Sequence, residues 1–326
     1  MNINQSRHTL SREMPEGKSN KQVGARKSGL NVSTLVEQFV QASLSENTRR
    51  AYSNDLQHFL NWGGRIPASA ETVATYLAEH ADKLSYGTLS RRVVAISRIH
   101  NSKKLPSPTQ SDLVKSTLSG IRRTTGRVQR RVRPTLLPQI QAMVKNAEGM
   151  KGMRDKALLL TGFSGAFRRA ELVSIQVSDV QFVEEGIIIR LQRSKTDQTG
   201  QGRDIAIPNM RGKYCPVKAI KDWLKLADIS SGALFRGVNR HGQVMTQGLS
   251  PQSVALIVKE HVTAIGLDAK QFSGHSLRAG LVTSAAINGV SSFKICQQTG
   301  HKSDAVMQRY IRDNNLFTDN PLGKIW

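Results

Sequence analysis

The stretch RRTTGRVQRRVRPTLLP, from Arg122 to Pro138, divides the chain. It holds six arginines with Gly126 and Pro134 and little apolar content. A run of like charges broken by glycine and proline cannot pass through an apolar core. A chain of 326 residues that contains it must build one core on each side, in line with domains of roughly 100–200 residues. The predicted organisation is a basic arm over residues 1–30, a first domain over 31–121, a linker over 122–135, a second domain over 136–312 and an apolar tail over 313–326.

On the first side the apolar residues recur at helical intervals. STLVEQFVQASL spaces Leu35, Phe39 and Leu44 along one face. In SENTRRAYSNDLQHFLNW, Ser45 or Asn47 suits an N-cap, and Tyr52, Leu56, Phe59 and Leu60 follow in register until Gly63, Gly64 and Pro67 end the pattern. SAETVATYLAEHA repeats it, with Ser69 as cap and Val73, Tyr76 and Leu77 inward. SYGTLSRRVVAISRIHNS predicts a helix with Leu89, Val93, Ile96 and Ile99 toward the core and Arg91, Arg92 and Arg98 outward. SPTQSDLVKSTLSGI predicts a fifth helix. The first domain therefore reads as a small all-helical unit with basic faces.

On the second side LLPQIQAMVKNA and GMRDKALLLTGFSGAF predict helices, and RRAELVSIQVSDV a short helix running into a turn. The period then changes. GIIIRLQRSKTDQTGQGRDIAIP places β-branched runs on either side of a polar, glycine-bearing stretch, which predicts hairpin strands at Ile187–Leu191 and Asp204–Ile207 with Lys195 in the loop. PVKAIKDWLKLA, SPQSVALIVKEHVTAI and the segments after Gly274 return to the helical period. The expected fold class is mainly α with a small antiparallel sheet in the C-terminal domain.

Charge points to the partner. Lys and Arg number 47 against 24 Asp and Glu, a net +23. An excess of that size favours polyanions, nucleic acid above all. The arginines expected to meet phosphates are Arg49, Arg50, Arg91, Arg92 and Arg98 on helical faces, and Arg122, Arg123, Arg130, Arg131 and Arg133 in the linker. A membrane surface fits less well, because the basic residues are spread through folded segments instead of gathered on one amphipathic helix. No apolar run approaches the ~18 residues of a span, and the polar N-terminal segment has no signal-peptide centre. Cys215 and Cys296 stand alone, without a disulfide framework, which suits a reducing compartment. A cytoplasmic, nucleoid-associated protein is expected.

Several chemistries find no support. GFSGA, residues 162–166, comes close to the GxSxG nucleophile elbow, but that elbow needs a strand before it and here the flank is helical. Ser164 is read as a helix-end or turn residue, and a serine hydrolase is set aside. No GxxxxGK[ST] loop is present for ATP, and no histidine or cysteine pair has metal-ligand spacing. Neither cofactor nor metal is expected. Aromatic residues make up 5%, few for a protein that stacks single-stranded bases.

Four segments remain. In SGAFRRAELVSI, Arg168 and Glu171 lie three apart on one helical face; a planar guanidinium suits a phosphate, although a surface ion pair has the same spacing. QRSKTDQTG carries Lys195, which could reach a DNA strand or only solvent. FSGHSLRAG sets His275 and Arg278 three apart at a helix start, where an anion is favoured; a capping histidine would look alike. In TGHKSDAVMQRYIR, Ser303 can cap a short helix bearing Tyr310, with His301 in the turn before it. Tyr310 taken alone could equally be a core tyrosine.

Taken in order, two arginines, a lysine, two histidines and a tyrosine in a strongly basic chain resemble the tyrosine recombinase (phage integrase) family. The resemblance covers about residues 33–312. SENTRRAYSNDLQHFLNW is similar to the opening of the family's helical core-binding domain, FRRAEL to its first arginine box, HSLRAG to its HxxR box and TGHKSDAVMQRYI to its final box. It implies a two-domain clamp on double-stranded DNA, with Arg168 and Arg278 on the phosphate, Lys195 as the hairpin lysine, His275 and His301 as the site histidines, Tyr310 as nucleophile and Glu171 as acidic support. It also implies a metal-free and ATP-free strand transferase working as a tetramer, of bacterial, phage or plasmid origin. A DNA-binding or architectural protein without chemistry, a type IB topoisomerase and a telomere resolvase share parts of this pattern. The tail NNLFTDNPLGKIW, with Leu316, Phe317, Leu322, Ile325 and Trp326, is too apolar for a free end and is expected to dock, on its own subunit or on a neighbour.

Overall fold

The computed structural model describes residues 43–125, 132–192 and 202–301. They form two compact units, one up to residue 125 and one from residue 132. Lys195, Tyr310, Arg130, Arg131, the arm and the tail lie outside the described residues, as does most of the first expected helix.

The first unit holds α1 (Glu46–Asn61), α2 (Ala70–Glu79), α3 (Tyr86–Ser102) and α4 (Asp112–Thr124). Each begins at a serine, Ser45, Ser69, Ser85 and Ser111. In each the hydroxyl accepts a backbone N–H three residues on, at 3.2–3.3 Å, so each first turn has one fewer orphan donor. Between Ser45 and Asn47, the cap is Ser45. Phe59, Val73, Tyr76, Leu77, Leu89, Ile96, Val114 and Ile121 make the core. Helix α4 continues to Thr124, so Arg122 and Arg123 are exposed residues of its last turn instead of linker. Arg49, Arg50, Arg91 and Arg98 are exposed as well.

Arg92 is not. It is 7% exposed, against the expectation that it points outward. Residues 89, 92, 93 and 96 share one face at 3.6 residues per turn, so Arg92 enters the core between Leu89 and Ile96. Its Nη1 donates to Tyr76 Oη at 2.7 Å and lies 2.9 Å from His58 Nδ1. Its Nε faces the buried carboxylate of Asp55 at 3.5 Å. Asp55 also takes two hydrogen bonds from Arg91, at 2.6 and 3.0 Å. Two arginines read as DNA contacts are thus bound into a buried polar network, one of them wholly.

The second unit contains α5 (Leu137–Val144), α6 (Gly149–Ser164), α7 (Arg169–Ser174), β1 (Val180–Val183), β2 (Gly186–Leu191), β3 (Arg203–Pro208), α8 (Pro216–Leu226), β4 (Arg236–Val238), β5 (Val244–Gly248), α9 (Pro251–Ala264), α10 (His275–Ile287) and α11 (Ser292–Thr299). Strand β2 pairs antiparallel with both β1 and β3. Ile187 opposes Ile207 and Ile189 opposes Ile205, all buried, so every second residue of the hairpin feeds the core. The core also holds Leu158, Phe163, Phe167, Trp223, Val258 and Leu277. Trp223 Nε1 donates to the Leu234 carbonyl at 2.8 Å, which satisfies its one polar atom. The described residues contain a second sheet, β4 with β5, where one sheet was expected. These strands are three and five residues long, too short to show an alternation. Strand β1 follows the expected helix and turn, which end at Val180, and was not anticipated; at four residues it too is short. Ser164 is the last residue of α6, with a helix and no strand before it. Among the described residues no helix is long and apolar enough to cross a membrane.

The segment before α5 runs across α10. Thr135 donates its N–H to the Ser276 carbonyl at 3.0 Å, and a Cβ on Gly280 would stand 2.0 Å from the Thr135 carbonyl oxygen. Only glycine admits that approach. Arg133 is exposed and donates backbone and side-chain N–H groups to Gln271, at 2.8 and 3.3 Å.

Candidate active site

The α6–α7 turn delivers Arg168. Before it stands Ala166, in the left-handed region at φ 49°, a strained position for a residue with a Cβ. Arg168 directly precedes α7, and Glu171, in that helix's first turn, folds back onto it. One carboxylate oxygen accepts the Arg168 backbone N–H at 2.9 Å and the other accepts Nη1 at 2.5 Å. Glu171 is 4% exposed, so the pair is an anchored one and not the surface ion pair its spacing also allowed.

Helix α10 delivers Arg278 and His275. Arg278 is 2% exposed. Its Nη1 donates to the carbonyl of the strained Ala166 at 2.6 Å, and its Nη2 lies 3.0 Å from His301 Nε2. The two arginine boxes therefore meet through backbone and side chain. His275, the first residue of α10, is exposed. Crowding by the protein, then the charges of Arg278, Arg168 and Arg169, hold its pKa below the usual histidine value.

The end of α11 delivers His301. Gly300, at φ 68°, ends the helix in a left-handed cap. Thr299 Oγ1 donates to the Ile295 carbonyl at 2.7 Å and lies 2.7 Å from His301 Nδ1. With Arg278 donating to Nε2, the network assigns the proton to Nδ1, which donates to Thr299. Neutral His301 is the form that fits. Burial, followed by Arg278, Arg168, His275 and Arg203, lowers its pKa to about 4.

Arg203, first in β3, enters the same space. It donates to the Gln298 carbonyl at 2.9 Å and faces Glu171 at 3.9 Å. Nothing in the sequence singled it out from the other basic residues beside the glycine-rich loop. Thr299 was missed in the same way. Of the expected site residues, the structure brings Arg168, Glu171, His275, Arg278 and His301 together; Lys195 and Tyr310 lie outside the described residues. No group of three or more His, Cys, Asp or Glu that could hold a metal occurs among the described residues. The assembly is a cationic pocket with two neutral imidazoles, suited to gripping an oxyanion and moving a proton beside it.

Comparison with known proteins agrees. Residues 134–316 match the phage integrase family. An integrase/recombinase xerD homolog from Selenomonas ruminantium is 40% identical over 298 residues, 88% of this chain and 87% of the relative. The recombinase cre of Escherichia phage P1 is 25% identical over 269 residues, 76% of this chain and 77% of the relative. In fold, the chain is similar to lambda integrase (residues 75–356) bound to DNA, with TM-score 0.61, 16% identity and coverage of 89% and 96%. The chain belongs to the phage integrase family, the tyrosine recombinases.

Proposed function

We propose that this chain is a site-specific recombinase that cleaves and rejoins double-stranded DNA through a 3′-phosphotyrosyl link at Tyr310. The observation that carries the reading is the convergence of Arg168, His275, Arg278 and His301, from three separate elements, on one pocket. A phenol with a pKa near ~10 is a weak nucleophile at neutral pH. The help comes from the substrate side. Arg168 and Arg278 neutralise the charge that grows on the non-bridging oxygens as the phosphorus becomes five-coordinate, commonly the largest catalytic effect. In this reaction the two guanidinium groups do the work that a metal ion does in other phosphoryl-transfer sites.

Tyr310 attacks in line and the 5′-oxygen leaves, taking its proton from Lys195. His275, kept neutral by its surroundings, accepts or orients the tyrosine proton. When an anion replaces Arg278 as the partner of its Nε2, His301 takes up a proton there and donates it in a hydrogen bond to a phosphate oxygen. Glu171 holds Arg168 in place. A 5′-hydroxyl of a partner strand then attacks the phosphotyrosine, so the bond energy is conserved and ATP is not consumed. Exchange between two duplexes uses four such sites, hence a tetramer. A solved relative in fold, lambda integrase, is recorded as a tetramer bound to a Holliday junction, with TM-score 0.60 and 16% identity. The tail is proposed to dock on a neighbouring subunit; removing residues 315–326 would then abolish tetramers and leave single-site binding intact, whereas docking on its own subunit would lose both.

The test is a randomised pool of nicked duplexes incubated with the protein, denatured, and searched for DNA left bound to it. A covalent complex that is enriched for one sequence and lost in Tyr310→Phe supports the proposal. Sequence enrichment without a covalent complex would show a binding protein. A covalent complex without enrichment would show a topoisomerase.

A further inference from the structure

We infer that Arg203 is a positioning residue of this site, whose forked guanidinium ties the end of α11 to Glu171. The inference deepens the recombinase reading and rests on it. Two of the fork's arms face different elements. Nη1 donates to the Gln298 carbonyl at 2.9 Å. That carbonyl belongs to the last turn of α11, where acceptors lack helical partners and a cation is favoured. Nη2 is 3.9 Å from Glu171 Oε2, buried, and without a hydrogen bond among the described residues.

The surroundings are shaped to the fork. Gly300 lies against it, and a Cβ there would stand 3.0 Å from both Cζ and Nη1. Gln298 fastens the same turn from its other side, donating Nε2 to the Ser164 carbonyl at 3.1 Å and to the Ala206 carbonyl at 3.2 Å. His301 is the next residue after Gly300, so whatever fixes this turn sets where the imidazole stands. Glu171 has a need of its own. When Arg168 turns its guanidinium to a phosphate, the buried carboxylate loses part of its compensation, and a buried charge left without a partner is costly. Arg203 is the second cation within reach. A lysine brings one ammonium and cannot serve both ends.

His301 reports on this arrangement without any need for catalysis. Among the described residues, the charged and titratable groups around it are Arg278 and His275 on α10, Arg168 before α7 and Arg203 on β3. The experiment is NMR titration of full-length protein carrying Cε1-labelled histidine, with His301 assigned from His301→Gln. In both Arg203→Ala and Arg203→Lys the His301 midpoint should rise, because a loosened turn relieves the burial that is the largest cause of its low pKa. In Arg203→Lys, covalent-complex formation should fall about tenfold with DNA binding retained, and a tenfold loss corresponds to about 1.4 kcal/mol. If Arg203→Ala does not fold, Arg203→Lys decides alone. A wild-type midpoint in Arg203→Lys overturns the two-point tie, even where Arg203→Ala shifts. A wild-type protein that forms no covalent complex sinks the recombinase reading, while the titration still judges Arg203.

Discussion

Arg278 Nη2 and His301 Nε2 lie 3.0 Å apart, with Thr299 Oγ1 2.7 Å from the other ring nitrogen of His301. A guanidinium is always a donor, so the contact fixes His301 as neutral, with its proton on Nδ1. The imidazole is thus held ready beside the arginine, and its protonation depends on what enters the pocket.

An entering anion should raise the pKa of His301. In the free protein burial and four neighbouring cationic or titratable groups hold it at about 4. A phosphate adds negative charge and draws off part of the arginines' field. NMR titration with and without vanadate or nicked DNA should show the midpoint moving upward. No movement on binding would exclude His301 as a phosphate donor.

Acid should destabilise the second unit through this pair of histidines. The folded pKa values of His301 and His275 lie below the usual 6.5. Between 6.5 and the folded values the unfolded chain binds more protons. Their contribution is complete above about pH 6.5 and is lost as pH falls through each folded value, about 4 for His301. His261 works the other way. Burial opposes its charge, but Asp155 at 3.1 Å, the Met143 carbonyl and Glu260 raise its pKa. Its contribution is complete below 6.5 and is lost as pH rises through the folded value. Urea midpoints from pH 4 to 8 should fall on the acid side in wild type and fall less in His301→Gln.

Arg278→Lys should fold and fail in chemistry. An ammonium can satisfy either the Ala166 carbonyl or His301, but it cannot reach both and still face a phosphate. The expected loss is about 10²–10³-fold in the rate of covalent-complex formation, the usual effect of removing one preorganised donor. Arg278→Lys at wild-type rate would remove Arg278 from the clamp.

Asp55→Ala should cost about 3–5 kcal/mol, because it strands the buried Arg92 without its counter-ion. Breaking the exposed Arg50–Glu46 pair should leave the denaturation midpoint in place. DNA titrations over a range of salt should separate surface from interior. Arg98→Ala should reduce the salt slope by about 1. Arg92→Met should leave the slope unchanged and act on stability alone.

Gly280→Ala should destabilise by about 1–3 kcal/mol, the range for overpacking, because its Cβ would meet the Thr135 carbonyl and not a movable side chain. The measurement is the urea midpoint of the full chain. A midpoint equal to wild type would show that the segment before α5 can lift away from α10.

Much of this architecture is local, and so it was readable in order along the chain. Serine caps, the 3.6-residue period of α1 to α4 and the alternating isoleucines of β2 and β3 depend on neighbours within a few positions. The composition of the two arginine boxes and the histidine turn was equally visible, and so was the resemblance they carry. Other features depend on partners far away in sequence. Arg92 looked like a surface arginine until Asp55 and Tyr76 met it in the core. Arg203 looked like one more charge beside a loop until Glu171 and Gln298 closed on either side. The tautomer of His301 required Arg278, 23 residues earlier. Sequence alone named the candidate site residues and most of the described elements that carry them. Tertiary structure decided which of those residues face one another, because burial, hydrogen-bond pairing and charge compensation act across space and not along the chain.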